Sequence, residues 1–333
     1  MPLATTDIIF RTAAVQSDAA GNGGRMSATA LADNVKNALF PDVRQAERIA
    51  GSDKWRKLFI HFAPAGLSQA LDVRVIPYDP TPAGDSVVVY AGTQTNTQSA
   101  ITGALPSRAY GVAPLSDSAS AGATTVTVEL EPGTPTLFAA GDTVYITDKA
   151  TISAATGAEE YATVASVAAP SGGTQVVTLG AALANSYGGS GTARLASVML
   201  AGDVLPTLSG QAVVSAAGVF TPSAVTLYPR STVADTWTLT FTSNTAFTAS
   251  GAATGAVGSG TVGNSFGPNN ADFGGSYFTL GAGALGGTWA AGDTVTFTTA
   301  PAAIPLWLRR TVPANTLTYA SNRFTLAVDL ESA

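Results

Sequence analysis

The sequence predicts a mainly β protein: an N-terminal mixed α/β region followed by two β-barrel or β-sandwich-like modules. Two observations carry this expectation. Short runs of alternating apolar and polar residues, rich in Val, Thr and aromatics, recur along most of the chain. Gly, Pro, Asn, Asp and Ser separate them, as expected of turns. Helical spacing is confined to the first hundred residues. The expected organisation is an α/β assembly domain over 1–104, a small all-β module over 105–200, and a β-rich module over 201–333. A chain of 333 residues is long enough for several such units.

In the first region, Asp7 to Arg11 reads as a short strand and Gly21 to Gly24 as a turn. Leu31, Val35, Ala38 and Leu39 fall on one helical face, and Pro41 should stop that helix. Asp42 is expected to cap a second helix through Val43, Ala46 and Ile49, with Gly51 ending it. Trp55 to Phe62 then alternates. Leu58, Ile60 and Phe62 share one face, and Lys57, Phe59 and His61 the other. Leu71, Val73 and Val75, and then Ser86 to Tyr90, repeat the strand pattern.

In the second region, strands are expected over 124–130, 143–147, 161–167 and 175–179. In the third, they are expected over 237–242, 277–280, 294–298, 306–310 and 324–328. Between these, 250–270 is nearly all Gly, Ala, Ser, Thr and Asn. It reads as a long loop or flexible hairpin that orders only against a neighbouring subunit, because it has little of its own to bury. The words Ala83-Gly84-Asp85, Ala140-Gly141-Asp142 and Ala291-Gly292-Asp293 each precede a strand, and Ala201-Gly202-Asp203 is a partial copy. Each is a turn in which Gly supplies backbone freedom and Asp is expected to bond a downstream amide.

Composition narrows the function classes. Charged residues make up 11% of the chain, against about 25% in typical soluble domains. No stretch approaches the roughly 18–20 apolar residues of a spanning helix, so no membrane span is expected. Formal net charge is −6, which argues against nucleic acid as a partner. Ten of the sixteen Lys and Arg residues lie at or before Arg108, so the two halves differ in surface. With no cysteine, disulfides, thiolate metal sites and cysteine nucleophiles are excluded. The opening residues lack a basic and then apolar leader, which gives the expectation of synthesis in a cytoplasm.

The search for chemistry yields no catalytic, cofactor-binding or metal-ligating residue. His61 is the single histidine and reads as an ordinary sheet residue, with no second imidazole for a metal site. Gly281-Ala282-Gly283-Ala284-Leu285-Gly286 spells a dinucleotide-type word, but no helix is expected after it. The carboxylate pairs Glu129/Glu131, Glu159/Glu160 and Asp329/Glu331 read as solvated faces rather than a glycosidase pair. Lys54, Arg56 and Lys57 around Trp55 could touch nucleic acid, form the wet rim of a strand, or meet an acidic neighbour.

Two stretches carry a resemblance. Ala32-Asp33-Asn34-Val35-Lys36-Asn37-Ala38-Leu39-Phe40-Pro41-Asp42-Val43, with Glu47 and Trp55-Arg56-Lys57-Leu58-Phe59, resembles the opening of structural proteins encoded in tailed phages and proteobacterial prophages. Gly287 to Phe297 and Pro305 to Pro313 are similar to the ends of proteins from the same gene clusters. The resemblance covers about a third of the chain and brings no catalytic residues. It implies a virion component, in the tail or baseplate, or alternatively a capsid decoration or neck protein. A receptor- or carbohydrate-binding tail-tip module is a further alternative. The implied partners are other copies of the chain and other virion proteins, in a homo-oligomeric ring or array. Such a protein should expose an apolar patch beyond a few hundred Å².

Overall fold

The computed structural model describes residues 3–131, 133–189 and 191–332. The chain is mainly β, with two short α-helices, Gln45–Ala50 and Gln98–Gly103. Its base is a sandwich of two sheets. The larger has five strands in the order Gly23–Ala30, Ile8–Val15, Ser52–Phe62, Ala303–Val312 and Ser86–Ala91. The smaller places Ala70–Asp79 between Met199–Val204 and Thr325–Ser332. Leu58, Ile60 and Phe62 point into the space between them, against Val73, Val75, Val89, Met199, Leu306 and Leu308. The opposite face of the same strand is also covered, with Phe59 packed on Ala13 and Ala303.

Two units are built onto this base. The first is a six-stranded sheet ordered Val112–Pro114, Arg194–Ser197, Thr143–Thr147, Glu159–Val167, Thr174–Leu179 and Thr125–Glu129. It curls until Leu115 bridges Val128, which brings its two edges together. Val126, Val144, Ile146, Val164, Val177 and Leu195 fill its inside. The second is a five-stranded sheet ordered Thr207–Val214, Thr294–Ala300, Asp235–Phe241, Ala246–Gly251 and Gly255–Thr261. Trp237, Phe241, Phe247, Phe278, Trp289 and Phe297 form its core.

The strand pairing corrects the expected division at 201–333. Residues 207–300 form a unit, but Ala303–Val312 runs between Ser52–Phe62 and Ser86–Ala91, in register from Ala303↔His61 to Val312↔Ser52. Thr325–Ser332 likewise returns to Ala70–Asp79. The base is therefore assembled from both ends of the chain, and the two added units are insertions into it.

The helix expected over residues 31–39 is absent. Asn34 and Asn37 adopt φ 55° and 60°, which a right-handed helix cannot accommodate. The stretch that follows is instead tied to distant side chains. Arg56 Nε donates to Leu39 O at 3.2 Å and Arg310 Nη1 to Pro41 O at 3.2 Å. Leu39 and Phe40 still reach the sandwich core, whereas Val35 is exposed. The second helix exists as Gln45–Ala50, but Asp42 does not cap it. Arg44 is the N-cap, and its amide donates to Glu47 Oε2 at 2.8 Å. Asp42 pairs instead with Lys36.

The 250–270 stretch is also corrected. It is an antiparallel hairpin of Ala246–Gly251 and Gly255–Thr261, extended by a bridge from Phe266 to Leu280. Its own residues are small because neighbouring rings need the room. A Cβ on Gly260 would stand 2.5 Å from Phe247 Cζ. Its pairing partners lie within the chain.

Two of the Ala-Gly-Asp words share one geometry. Gly141 and Gly292 sit at φ 88° and 96° and donate to Val164 O and Phe241 O on the adjacent strand. The Asp142 and Asp293 carboxylates accept the amides of Ala139 and Ala290. These amides lie three residues upstream, not downstream as expected. Asp85 does something different: it is buried and holds Arg310 Nε at 2.7 Å and Asn322. The fourth copy lies inside the strand Met199–Val204.

Candidate functional site

The basic cluster around Trp55 is folded inward. Lys54 pairs with Asp18 and Glu47. Arg56 pairs with Asp18 at 2.7 Å and donates to the carbonyls of Ser17, Leu39 and Trp55. Lys57 is fully buried, and its Nζ donates to Gly24 O at 2.7 Å and Asn96 O at 3.0 Å. Trp307 and Phe59 lie within cation–π reach. Burial pushes the Lys57 ammonium down to about 7, because low-dielectric surroundings disfavour the charged form. These three cations tie the 16–24, 31–44 and 92–98 loops to the central strand, which leaves little of the cluster for a polyanion.

His61 is buried on that strand. Its Nδ1 accepts from Arg11 Nε at 2.9 Å, and its Nε2 meets Pro229 O at 2.9 Å. A guanidinium only donates, so Nδ1 carries the lone pair and Nε2 the proton. Desolvation outweighs the Pro229 hydrogen bond, which favours the protonated ring, and with the Arg11 charge adding to it the imidazole is pushed down to about 4.

Three of the six paired carboxylates, Glu159, Glu160 and Asp329, make structural contacts, and Glu129, Glu131 and Glu331 are exposed. Glu159 takes Lys149 and the Tyr145 hydroxyl. Glu160 accepts the amides of Ala184 and Asn185 and the Tyr187 hydroxyl. Partial burial raises Glu160, but those donors outweigh it and hold the group below the usual carboxylate range. Desolvation raises the Glu131 carboxyl, with Asp85 and Glu129 adding repulsion. Asp329 accepts Tyr161 Oη at 2.6 Å and faces Arg74, joining the six-stranded unit to the base. Among the described residues no group of three or more His, Asp or Glu side chains is gathered as a metal site. Gly281 to Ala284 form the turn after Thr279–Leu280, and Leu285 and Gly286 begin the strand Leu285–Thr288, so no helix N-terminus faces the word.

A shallow groove of about 400 Å³ lies where the chain crosses from the base to the five-stranded unit, lined by Gln94, Leu200, Asp203, Leu205, Pro301 and Pro305 among others. It gathers one carboxylate and no base. The more distinctive surface is the five-stranded unit itself. Residues 207–300 contain four charged side chains, Arg230, Asp235, Asp272 and Asp293. Thr207–Val214 pairs with Thr294–Ala300 on one side and forms the edge of the sheet on the other. Val213 and Val214 are 39% and 68% exposed there, and Val219, on the following strand Ala217–Phe220, is 54% exposed. Open edges in natural sheets are commonly guarded by charge, and this one has none between Asp203 and Arg230. Low charge is legible in the sequence, but no strand is expected over 207–220, where Gly and Ala break the apolar alternation, so sequence reading misses this edge.

The fold and surface define a multi-sheet β protein with an uncharged, partly apolar edge. In comparisons with known proteins, no family model, curated protein or solved structure matches the chain. Among the described residues, no helix is long and apolar enough to cross a membrane.

Proposed function

We propose that this chain is a non-enzymatic structural component of a tailed-phage virion, in the tail or baseplate. It works by packing against copies of itself and other virion proteins. The observation that carries the packing part is the uncharged open edge Thr207–Val214 with its exposed valines. A strand edge offers backbone donors and acceptors to another chain, and low charge removes repulsion between identical surfaces. The virion part rests on the resemblance of the two chain ends. Glu159, Glu160 and Asp329 are engaged in holding loops and units together, which supports a structural role.

A receptor-binding tip would present aromatic side chains on loops. Trp55, Trp237, Trp289 and Trp307 are all buried, so the packing role is favoured over that reading. The test is to attach a small dense tag and locate the chain in whole particles by electron microscopy. Label along the tail or at its end is the expected result. Label on the head would move the proposal to a decoration or neck role. Absence from particles would overturn it and reopen enzymatic and assembly-factor readings.

A further inference from the structure

Several side-chain contacts join the five-stranded unit to the base. Besides the two covalent crossings near 205 and 301, Arg25 of strand Gly23–Ala30 reaches Asp235 Oδ2 at 3.3 Å and Thr254 Oγ1 at 3.3 Å. Arg11 of strand Ile8–Val15 lies 5.0 Å from the centre of the Phe273 ring. His61 of strand Ser52–Phe62 bonds the Pro229 carbonyl and stands edge-on to Phe273 at 5.8 Å. His61 is thus the piece shared by the base and the unit, with both ring nitrogens committed.

We propose that His61 is a proton-operated latch, and that protonation of its ring releases the 207–300 unit from the base sandwich. Hydrogen-bond geometry sets the switch. Arg11 Nε–H points at Nδ1, and Arg11 cannot give up its proton at ordinary pH. The closed arrangement is therefore favoured by a neutral imidazole and weakened by a protonated one. A proton on Nδ1 sets N–H against N–H and places two cations side by side. Arg11 also donates to Ala28 O, so retreat from the ring disturbs its seat against Phe273.

No neighbouring charge offsets this. Strand Ile8–Val15 contributes Arg11. Strand Ala303–Val312 contributes Ala303 opposite His61. The inserted unit contributes Arg230, whose charge acts on Arg11. Its carboxylates are Asp235, already held by Arg25 and the amides of Thr236, Ala253 and Thr254; Asp272, on an exposed residue beside Phe273; and Asp293, held by the Ser215 hydroxyl and the Ala290 amide. The charge acting on the ring is that of Arg11. Once the unit swings away, the imidazole meets water and recovers an ordinary affinity for protons, which pulls the equilibrium towards the open form.

The size of the effect follows from linkage. With His61 titrating at about 4 in the closed form and about 6.5 when solvated, acid shifts the open-to-closed ratio by roughly 30-fold at pH 5 and roughly 300-fold well below pH 4.

The single histidine makes the test direct. In the intact chain, nitrogen-15 NMR of the ring reports its tautomer and titration. Hydrogen exchange of amides around 229–235 and 273–277 reports opening of the contact. The proposal predicts an Nε2–H tautomer at pH 7. It also predicts that protection of those amides in wild type falls at least tenfold relative to His61→Gln between pH 7 and 5. Glutamine can accept from Arg11 and donate to Pro229 without titrating. Equal pH dependence in the two proteins would overturn the latch. If His61→Gln does not fold, the wild-type ring decides alone. Protonation below pH 5 coincident with loss of protection supports the latch, and protonation with the contact intact refutes it.

Discussion

Lys57 and His61 stand on one face of one strand, and burial makes each a weaker base than its free form. The signs of their pH effects follow. Unfolded Lys57 keeps its proton to about 10.5 whereas the folded side chain releases it near 7. Between those values the unfolded chain binds more protons, so folding stability gains from rising pH. Denaturant titrations at pH 7 and 9.5 should show wild type gaining relative to Lys57→Met; a constant difference would contradict the buried cation. His61 acts in the acid range. The unfolded imidazole binds a proton below about 6.5, the folded one only below about 4. Stability therefore falls as pH drops from 6.5 to 4, by about 3 kcal/mol in all, and this contribution is constant below. Comparing urea midpoints of wild type and His61→Gln across that window checks it. The alternation that places both residues on one face is legible in the sequence. Their partners are not, because Pro229 lies 168 residues from His61.

At the scale of elements, local rules succeed where a strand depends on its own alternation. The expected runs at 143–147 and 175–179 coincide with Thr143–Thr147 and Thr174–Leu179 to within a residue. They fail where distant side chains decide. Residues 31–39 have helical spacing, yet Arg56 and Arg310 take carbonyls from the 39–41 stretch and two asparagines turn the chain. The glycine-rich hairpin fails in the other direction. Its residues bury little themselves, but they make room for Phe247 and Phe266, which a sequence window cannot reveal. Gly260→Val forces a side chain into Phe247, and overpacking of this kind costs about 1–3 kcal/mol. Gly283→Ala, where a Cβ meets nothing within 4 Å, is the matched control and should be near neutral. Thermal unfolding of the two variants side by side separates a packed hairpin from a loose loop.

At the scale of the whole molecule, the base is closed by the end of the chain. Strand Ala303–Val312 fills the gap beside Ser52–Phe62, and Arg310 and Asn322 clasp the buried Asp85 carboxylate. Removing one partner of a buried ion pair leaves an uncompensated charge. Arg310→Met should therefore cost about 3 kcal/mol, read as a lower denaturant midpoint; a variant as stable as wild type would show that the clasp is dispensable. This closure is invisible to a reading in chain order, since its halves are more than 200 residues apart. What remains outward is the uncharged edge Thr207–Val214.

The central claim, that this edge joins copies of the chain, is tested most directly by light scattering on the purified protein over a concentration series. Mass above the 33.3 kDa monomer is expected for wild type, with a return to monomer in Val214→Lys and folding unchanged by circular dichroism. A wild-type chain that stays monomeric at high concentration and is indistinguishable from Val214→Lys would contradict it.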